Sequence, residues 1–228
     1  MESFLKRLKY YGFGFGLGLV FVFFFFKNRG CTWTPENRVK NTILGRVLVV
    51  NDSERSKLSA KGLSDKDLIH FLDDGDVQFG KSKKNGNPLV YSIVKEINGK
   101  SVELWFTLPE KTYISEVITP HKSIQTIEHS TTGFGQMIHF PNVGNMVYLD
   151  ENDFFKKECT KLGLTNPKRV QNLMKKSGKI DFQQSNLTTT IPEQVVQFQL
   201  TNGKSITAKT IWFQEHIKFV SFLNDTVR

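Results

Sequence analysis

Cysteine and histidine are scarce in this chain of 228 residues. Its two cysteines, Cys31 and Cys159, neither require nor exclude an oxidising compartment. Its five histidines show neither the HxxxH nor the HExxH spacing of metal-binding helices, so the sequence does not support metal catalysis. We therefore assign no catalytic residue, no cofactor and no metal site, and we expect a non-catalytic protein.

Acidic residues are also few relative to basic ones, and the net charge is +9. Residues 1–46 hold eight Lys or Arg and two Asp or Glu, so +6 of the excess lies there and +3 is left for the rest. This part of the chain flanks an apolar segment, where basic side chains meet anionic lipid headgroups. The net charge is thus weak support for a phosphate-binding groove, and nucleic acid is not an expected partner.

One run of seventeen residues, 10–26, contains no charged or amide side chain. As a helix it would extend about 25 Å, slightly less than the ~30 Å hydrocarbon core of a bilayer. Lysines on both sides can reach the headgroups and close the difference. We predict a basic amino terminus (1–9), a transmembrane helix (10–26) in contact with membrane lipid, and a juxtamembrane stalk (27–45). The membrane segment includes Tyr10, Gly12, Gly16 and Phe26.

A cleaved signal peptide is the alternative for the same segment. The residues after Phe26 contain no pair of small residues spaced for a signal peptidase. Cys31 follows Gly30 as in a lipoprotein site, but the charged and polar residues 27–29 stand where such a site needs apolar ones. We therefore favour a retained, single-pass anchor. Its very short leader is typical of a signal anchor, which predicts that the globular part lies on the non-cytoplasmic side of the membrane.

Four glycines alternate with larger residues at the start of this segment. They form two interleaved pairs four residues apart, Gly12 with Gly16 and Gly14 with Gly18. Small residues at this spacing let two helix backbones approach closely in lipid, which predicts self-association through this helix. In the alternative interpretation, the lipid tolerates these glycines and they mediate no contact between helices.

The rest of the chain contains an internal repeat. Four segments recur in the same order, at an interval that grows only from 99 to 104 residues along the chain. The matching pairs are 46–52 with 145–151, 61–64 with 161–165, 76–82 with 179–185, and 98–102 with 202–206. Because four ordered matches are hard to obtain by chance, we infer a first α+β repeat (46–118), a linker (119–144) with a candidate strand at 136–140, and a second α+β repeat (145–223).

Local signals predict the same elements in each repeat. Ser64 and Gly75 are candidate caps of a short helix, and Thr165 and Gly178 have these roles in the second repeat. Asn-Gly pairs at 98–99 and 202–203 predict two-residue hairpins of type I′ between alternating strands. The predicted fold is α+β, with a transmembrane helix followed by two tandem repeats of helices packed on an antiparallel β-meander.

Three segments carry a resemblance to a known family: 35–41, 62–68 and 75–82. Together with the basic start and the apolar segment, they resemble membrane-anchored bacterial proteins that carry domain of unknown function 4258. The resemblance covers about residues 1–118 and, more weakly, 145–222. That family has no assigned activity, but some members are similar in layout to ribonuclease toxins of the RelE and barnase type. Members often have a histidine near the start of the domain, and neither 47–59 nor 146–159 contains one.

The segment 75–82 also matches the phosphate-loop pattern GxxxxGKS literally. That chemistry needs a strand before the loop and a helix after it. Here a helix is predicted before the segment, and residues 83–88 cannot begin one, so we do not expect nucleotide binding. Lys81, Lys83 and Lys84 are interpreted either as a solvated turn or as contacts for phosphates of lipid headgroups or RNA.

The sequence therefore favours a membrane-tethered, non-catalytic interaction or binding module. One alternative is a ribonuclease-toxin-like domain with the RelE or barnase layout, active or degenerate. A second alternative is an envelope protein that binds a small ligand, for which we would expect an apolar pocket between two sheets. Patterns in the sequence do not identify a protein partner.

Overall fold

The basic start and the apolar run that follows it form one long helix, α1 (Glu2–Lys27). The computed structural model describes residues 2–27, 34–141, 144–187, 189, 191–213 and 216–223. Its contacts divide the chain into two units, Met1–Val39 and Lys40–Arg228, and α1 belongs to the first. Large apolar side chains along α1 are exposed, for example Tyr10 at 78% and Phe13 at 72%.

The transmembrane crossing predicted for 10–26 is not supported by the described residues. Among them, no helix combines the length and the apolarity that crossing a membrane requires. Glycine and tyrosine make up six of the thirteen residues 10–22, which dilutes the apolarity of this part of α1. Phe26, the predicted end of the crossing, lies outside the residues whose side chains are described. The four glycines at 12, 14, 16 and 18 lie on α1, with open space around each.

The second unit has the predicted α+β class, with helices and one large mixed sheet. The helices after α1 are α2 (Pro35–Leu44), α3 (Asp52–Ala60), α4 (Asp65–Asp74), α5 (Asp153–Leu162) and α6 (Pro167–Ser177). The strands are β1 (Val47–Asn51), β2 (Asp76–Val77), β3 (Leu89–Ile97), β4 (Lys100–Leu108), β5 (Ile114–Ile118), β6 (Phe134–His139), β7 (Val147–Leu149), β8 (Lys179–Asn186), β9 (Glu193–Gln199), β10 (Ser205–Phe213) and β11 (His216–Phe222).

Both halves of the sheet have the same strand order. The first half runs β2-β3-β4-β5-β1, and the second runs β8-β9-β10-β11-β7. In each half, four strands form an antiparallel meander, and the earliest strand pairs in parallel with the last. Two helices follow the earliest strand in each half. We call β1–β5 with α3 and α4 the first repeat, and β7–β11 with α5 and α6 the second repeat.

The antiparallel meander predicted for each repeat is present, but the two repeats do not form separate sheets, because one mixed sheet contains both. β6 lies in the segment predicted as a linker and pairs antiparallel with both β1 and β8. A Cβ on Gly135 of β6 would lie 2.4 Å from Val49 Cγ1 and 2.5 Å from Phe182 Cε2, so only glycine fits there. Val49, Met137 and Phe182 belong to one hydrophobic core that extends across the join.

Helix caps follow the sequence signals with one exception. Ser64 caps α4, which ends at Gly75, and Gly178 ends α6, as predicted. The N-cap of α6 is Asn166 rather than Thr165, because the Asn166 side chain accepts a hydrogen bond of 2.9 Å from the backbone two residues later. The helices α3 and α5 had no predicted caps.

The two Asn-Gly pairs form different turns. Asn98 and Gly99 have φ of 52° and 73°, which confirms the type I′ hairpin between β3 and β4. In the pair at 202–203, only Gly203 has a positive φ, of 82°. The loop there is longer, since the N–H of Leu200 donates to the Lys204 carbonyl at 2.8 Å. The predicted type I′ turn at 202–203 is therefore wrong.

Candidate functional site

An asparagine caps the first helix of each repeat. Asn51 caps α3 and accepts a hydrogen bond of 3.1 Å from the N–H of Ser53. Asn152 caps α5 and accepts one of 2.8 Å from the N–H of Phe155. The third residue after the cap thus occupies the same place in both repeats, and it is Glu54 in the first and Phe155 in the second. Both side chains are buried.

Glu54 and Phe155 make opposite kinds of contact. Oε2 of Glu54 accepts hydrogen bonds from the N–H of Thr119 at 2.7 Å and from its hydroxyl at 2.6 Å, while Lys57 donates to Oε1 at 2.6 Å. Phe155 stacks on Phe222, with ring centroids 5.0 Å apart and planes at 24°. Thr119 directly follows β5, and Phe222 ends β11. A polar contact in the first repeat therefore stands where the second repeat has an aromatic one.

Polar side chains of the first repeat hold the segment between β5 and β6, residues 119–133, which we call the connector. Glu54 binds its first residue, as described above. Three further contacts are made to the connector backbone: Glu116 accepts from the N–H of Ser130 at 3.2 Å, Lys83 Nζ donates to the carbonyl of Ile127 at 2.8 Å, and Asn51 Nδ2 donates to the carbonyl of Thr132 at 3.1 Å. The start, the middle and the end of the connector are therefore anchored.

A cavity of about 530 Å³ lies between the connector and the first repeat. Its walls are the amino end of α3, Ile118 at the end of β5, and the connector from His121 to Thr132. Because β1 and β5 are parallel, their carboxyl ends meet at this place, which is where open α/β sheets bind ligands. The volume falls in the range of small-molecule sites. Polar residues line most of it, unlike the apolar pocket between two sheets expected for an envelope ligand-binding protein.

One imidazole in this cavity has unused hydrogen-bonding groups. His129 lines the cavity, and both its ring nitrogens are shielded from solvent and lack a hydrogen-bond partner in the part of the chain that the structure describes. Burial lowers the pKa of His129, and the charge of Lys83 lowers it further, against the opposing effect of Glu128. The ring is therefore neutral near pH 7, with one donor and one acceptor. Shielded polar groups without partners are unfavourable, so a ligand that bonds to either nitrogen would stabilise the ring.

Two carboxyl groups at this cavity, Glu54 in its wall and Glu116 behind it, have pKa values shifted in opposite directions. Burial raises the pKa of Glu116, and the charge of Glu54 adds to this against the hydrogen bonds from Ser130. Burial also tends to raise the pKa of Glu54, but hydrogen bonds from Lys57 and Thr119 outweigh it and hold that pKa below its usual value. Glu116 does not line the cavity. Its carboxyl group positions the connector and does not reach a ligand there.

The three lysines predicted as candidate anion contacts have different surroundings. Lys81 Nζ lies 3.8 Å from Oε2 of Glu103. Lys83 is bound to the connector, and Lys84 is exposed. The segment 75–82 extends from the end of α4 through β2 into a turn, and the next element is β3, a strand. The phosphate-loop match therefore lacks the following helix that phosphate binding uses.

The remaining candidates for chemistry lie elsewhere. Burial, with a further contribution from the charge of Glu158, raises the pKa of Cys159 to about 11, so this unpaired thiol stays protonated at neutral pH. Cys31 lies outside the described residues. Within the described ranges, no group of three His, Cys, Asp or Glu is placed to hold a metal ion.

Glu54 lies just beyond the segments that the internal repeat matches in sequence. These segments, 46–52 and 145–151, end before Glu54 and Phe155, and the alignment must shift by two residues to bring those positions together. The capping asparagines at 51 and 152 are the sequence signal that supplies this shift. His129 has no such signal, because its shielding depends on how the connector packs.

Comparison with family models, with curated proteins and with solved structures gives no match. The resemblance to the family with domain of unknown function 4258 stays a prediction.

Proposed function

We propose that this protein is a membrane-tethered, non-catalytic binding protein whose first repeat holds a small polar ligand in the cavity beside His129. One observation carries the proposal. Where the second repeat has the aromatic pair Phe155 and Phe222, the first repeat has the hydrogen-bonded pair Glu54 and Thr119.

The second repeat is an internal control for the first. Its aromatic pair indicates that apolar side chains alone can fill this place in the fold. A buried carboxylate is generally no more stabilising than well-packed apolar residues of similar volume, so packing does not require Glu54. The carboxylate instead holds the first residue of the connector, and the connector forms one wall of the cavity. This supports a binding role for the first repeat and a structural role for the second.

The groups around the cavity favour a ligand with both a hydrogen-bond donor and a hydrogen-bond acceptor, one of which meets a single nitrogen of the His129 ring. His129 presents one of each, as argued above. Lys122, Glu54 and Glu128 line the cavity with charges of both signs. The Glu54 carboxylate is already bonded to Lys57 and Thr119, so neither anions nor cations are strongly preferred. A primary amide or the polar edge of a nucleobase has this chemistry.

The ligand-binding part of the proposal is tested with nicotinamide and uracil as probes. Full-length protein with ¹⁵N-labelled histidine, in detergent micelles, is titrated with each probe and, separately, with acetate. We expect saturable shifts of the His129 ring signals with the two probes and loss of these shifts in His129→Phe. His216→Phe, a change in the second repeat, is the matched control and should bind as the wild type does. Absence of any shift with either probe, or unchanged binding by His129→Phe, would overturn the proposal.

Incubation with RNA tests the non-catalytic part. We expect the RNA to stay intact in the presence of the full-length protein. Cleavage that disappears in His129→Phe would instead support the ribonuclease-like alternative.

The membrane tether is proposed for α1. Large apolar side chains such as Phe13, Phe15 and Leu19 are exposed along this helix, and the apolar sequence continues from Val22 to Phe26. Basic residues stand on both sides of this run. The described side chains of α1 are not apolar enough by themselves to cross a membrane. The proposed membrane tether therefore depends on the four phenylalanines at 23–26.

Cell fractionation tests the tether. We expect full-length protein in the membrane pellet after an alkaline carbonate wash, and we expect release when residues 23–26 are changed to serine. Reporter fusions after Phe26 and after Arg228 should be active on the non-cytoplasmic side. Wild-type protein that remains in the high-speed supernatant would refute the tether without affecting the ligand test.

A further inference from the structure

The two repeats differ in what lies beside their first strand. β1 has a neighbour on each side, β5 in parallel and β6 in antiparallel orientation. β7, its counterpart in the second repeat, is the last strand of the sheet and pairs only with β11 among the described residues. The first repeat thus shows which kind of strand the outer edge of β7 can accept.

Among the described residues, part of the backbone of β7 has no hydrogen-bond partner at this edge. Met146 and Asp150 bond to β11 through their backbone at 2.7 and 3.0 Å. Residues of a parallel strand alternate between its two neighbours, so Tyr148 also faces β11. Val147 and Leu149 therefore direct their N–H and C=O groups toward the open edge, in the spacing that a further strand requires.

Exposed aromatic side chains lie next to this edge. Tyr148 and Phe213 are 44% and 48% exposed, and the ring of Tyr148 lies 4.9 Å from that of His216. Together they line a groove of about 590 Å³. β7 itself contains no proline or lysine, the residues that commonly protect sheet edges. The opposite edge of the sheet is β2, which is only two residues long and begins with Asp76.

The register of the first repeat also sets the direction of an added strand. Asn51, at the carboxyl end of β1, pairs with Gly135 near the amino end of β6. The corresponding end of β7 leads into Asp150, whose carboxylate is paired with Lys218 at 3.0 Å, and then into the carboxylates of Glu151 and Asp153. The amino end of an antiparallel strand on β7 would therefore lie beside these carboxylates, where basic residues are complementary.

We propose that the open edge of β7 binds an extended strand of a partner protein, antiparallel to β7. The strand has basic residues at its amino end and apolar residues that lie in the groove of Tyr148 and Phe213. Backbone hydrogen bonds to Val147 and Leu149 provide the pairing, and the groove provides selectivity. This surface is separate from the cavity beside His129 and does not depend on the ligand proposed there.

The test uses full-length protein in detergent micelles and a fluorescent peptide, Lys-Lys-Thr-Val-Thr-Val-Thr. We expect saturable binding by fluorescence anisotropy and at least about tenfold weaker binding by Tyr148→Lys, since lysine on an edge strand opposes strand addition. Phe134→Lys, which changes an exposed aromatic residue on β6, is the matched control and should bind normally. A peptide with Glu-Glu at its amino end should bind more weakly.

Several results would overturn the proposal. One is absence of binding up to about 1 mM peptide, which is weaker than a specific strand addition should give. A second is equal binding of a peptide whose alternate backbone nitrogens are methylated, because strand pairing needs their N–H groups. A third is unchanged binding by Tyr148→Lys. If the free protein forms a dimer and Tyr148→Lys abolishes that dimer, the edge binds a second copy of this chain instead of a partner protein.

Discussion

Glu54 and Thr119 are joined by two hydrogen bonds to a single carboxylate oxygen. Oε2 of Glu54 accepts from the backbone N–H of Thr119 at 2.7 Å and from its hydroxyl at 2.6 Å. The pair connects the first turn of α3 to the start of the connector.

Glu54→Ala should destabilise the protein. The change leaves the buried N–H and hydroxyl of Thr119 without an acceptor, and we expect a loss of roughly 2–4 kcal/mol in the free energy of unfolding. Urea unfolding of the full-length protein, followed by tryptophan fluorescence, measures it. Glu110→Ala removes an exposed carboxylate and should stay within about 0.5 kcal/mol of the wild type. Equal stability of the two variants would show that the contact with Thr119 contributes nothing.

Glu116→Gln should change how stability depends on pH. Because burial raises the pKa of Glu116, the folded protein binds this proton more tightly than the unfolded chain does. The stabilisation is thus complete below the unfolded pKa of 4.5 and is lost as pH rises through the folded value. We expect the wild type to lose stability relative to Glu116→Gln with rising pH, by at most about 1.4 kcal/mol per pH unit. Unfolding curves measured across pH give the comparison. A difference in the free energy of unfolding between the wild type and Glu116→Gln that stays constant with pH would contradict this expectation.

The ring of His129 should titrate below 6.5, the usual histidine value, in an NMR experiment on the full-length protein. Burial is the main cause, and the charge of Lys83 contributes. Lys83→Gln should therefore raise the midpoint, whereas Lys84→Gln, a change at a neighbouring exposed lysine, should not. Since the folded pKa is lowered, His129 favours the folded state above pH 6.5, and this contribution is lost as pH falls through the folded value. A midpoint at or above 6.5 would mean that the ring is not shielded.

Gly135→Ala should weaken the join between the repeats. An added Cβ would lie 2.4 Å from Val49 Cγ1, so Val49 or β6 must move, and we expect a loss of about 1–3 kcal/mol. Gly144→Ala is the control, because nothing lies within 4 Å of a Cβ at that position. Thermal unfolding of both variants gives the comparison. A Gly135→Ala protein as stable as the control would argue against close packing of β6.

Gly12→Leu combined with Gly16→Leu should reduce self-association of α1 in a membrane reporter assay. Leucine prevents the close backbone approach that small residues allow in lipid. Val20→Leu combined with Val22→Leu keeps all four glycines and is the matched control. Unchanged association after the glycine replacements would rule out pairing through this face.

Short-range signals predicted the local elements because their physical causes lie within a few residues. Ser64, Gly75 and the Asn98-Gly99 pair act through the turn in which each stands. The prediction from Asn202 failed because its hairpin closes between Leu200 and Lys204, and that register depends on the strands and not on the turn residues alone. The shift from Thr165 to Asn166 has a similar cause, since two adjacent residues could cap α6 and the packed helix selected one.

The amino-acid sequence by itself determined the α+β class, the long amino-terminal helix and the recurrence of one order of elements, because caps, turns and apolar patterns act locally. Only the tertiary structure decided that β6 joins the repeats in one sheet, that Glu54 meets a threonine 65 residues away, and that the nitrogens of His129 are shielded. Burial and hydrogen-bond partners of this kind arise when distant segments pack together, and local patterns do not specify which segments will meet.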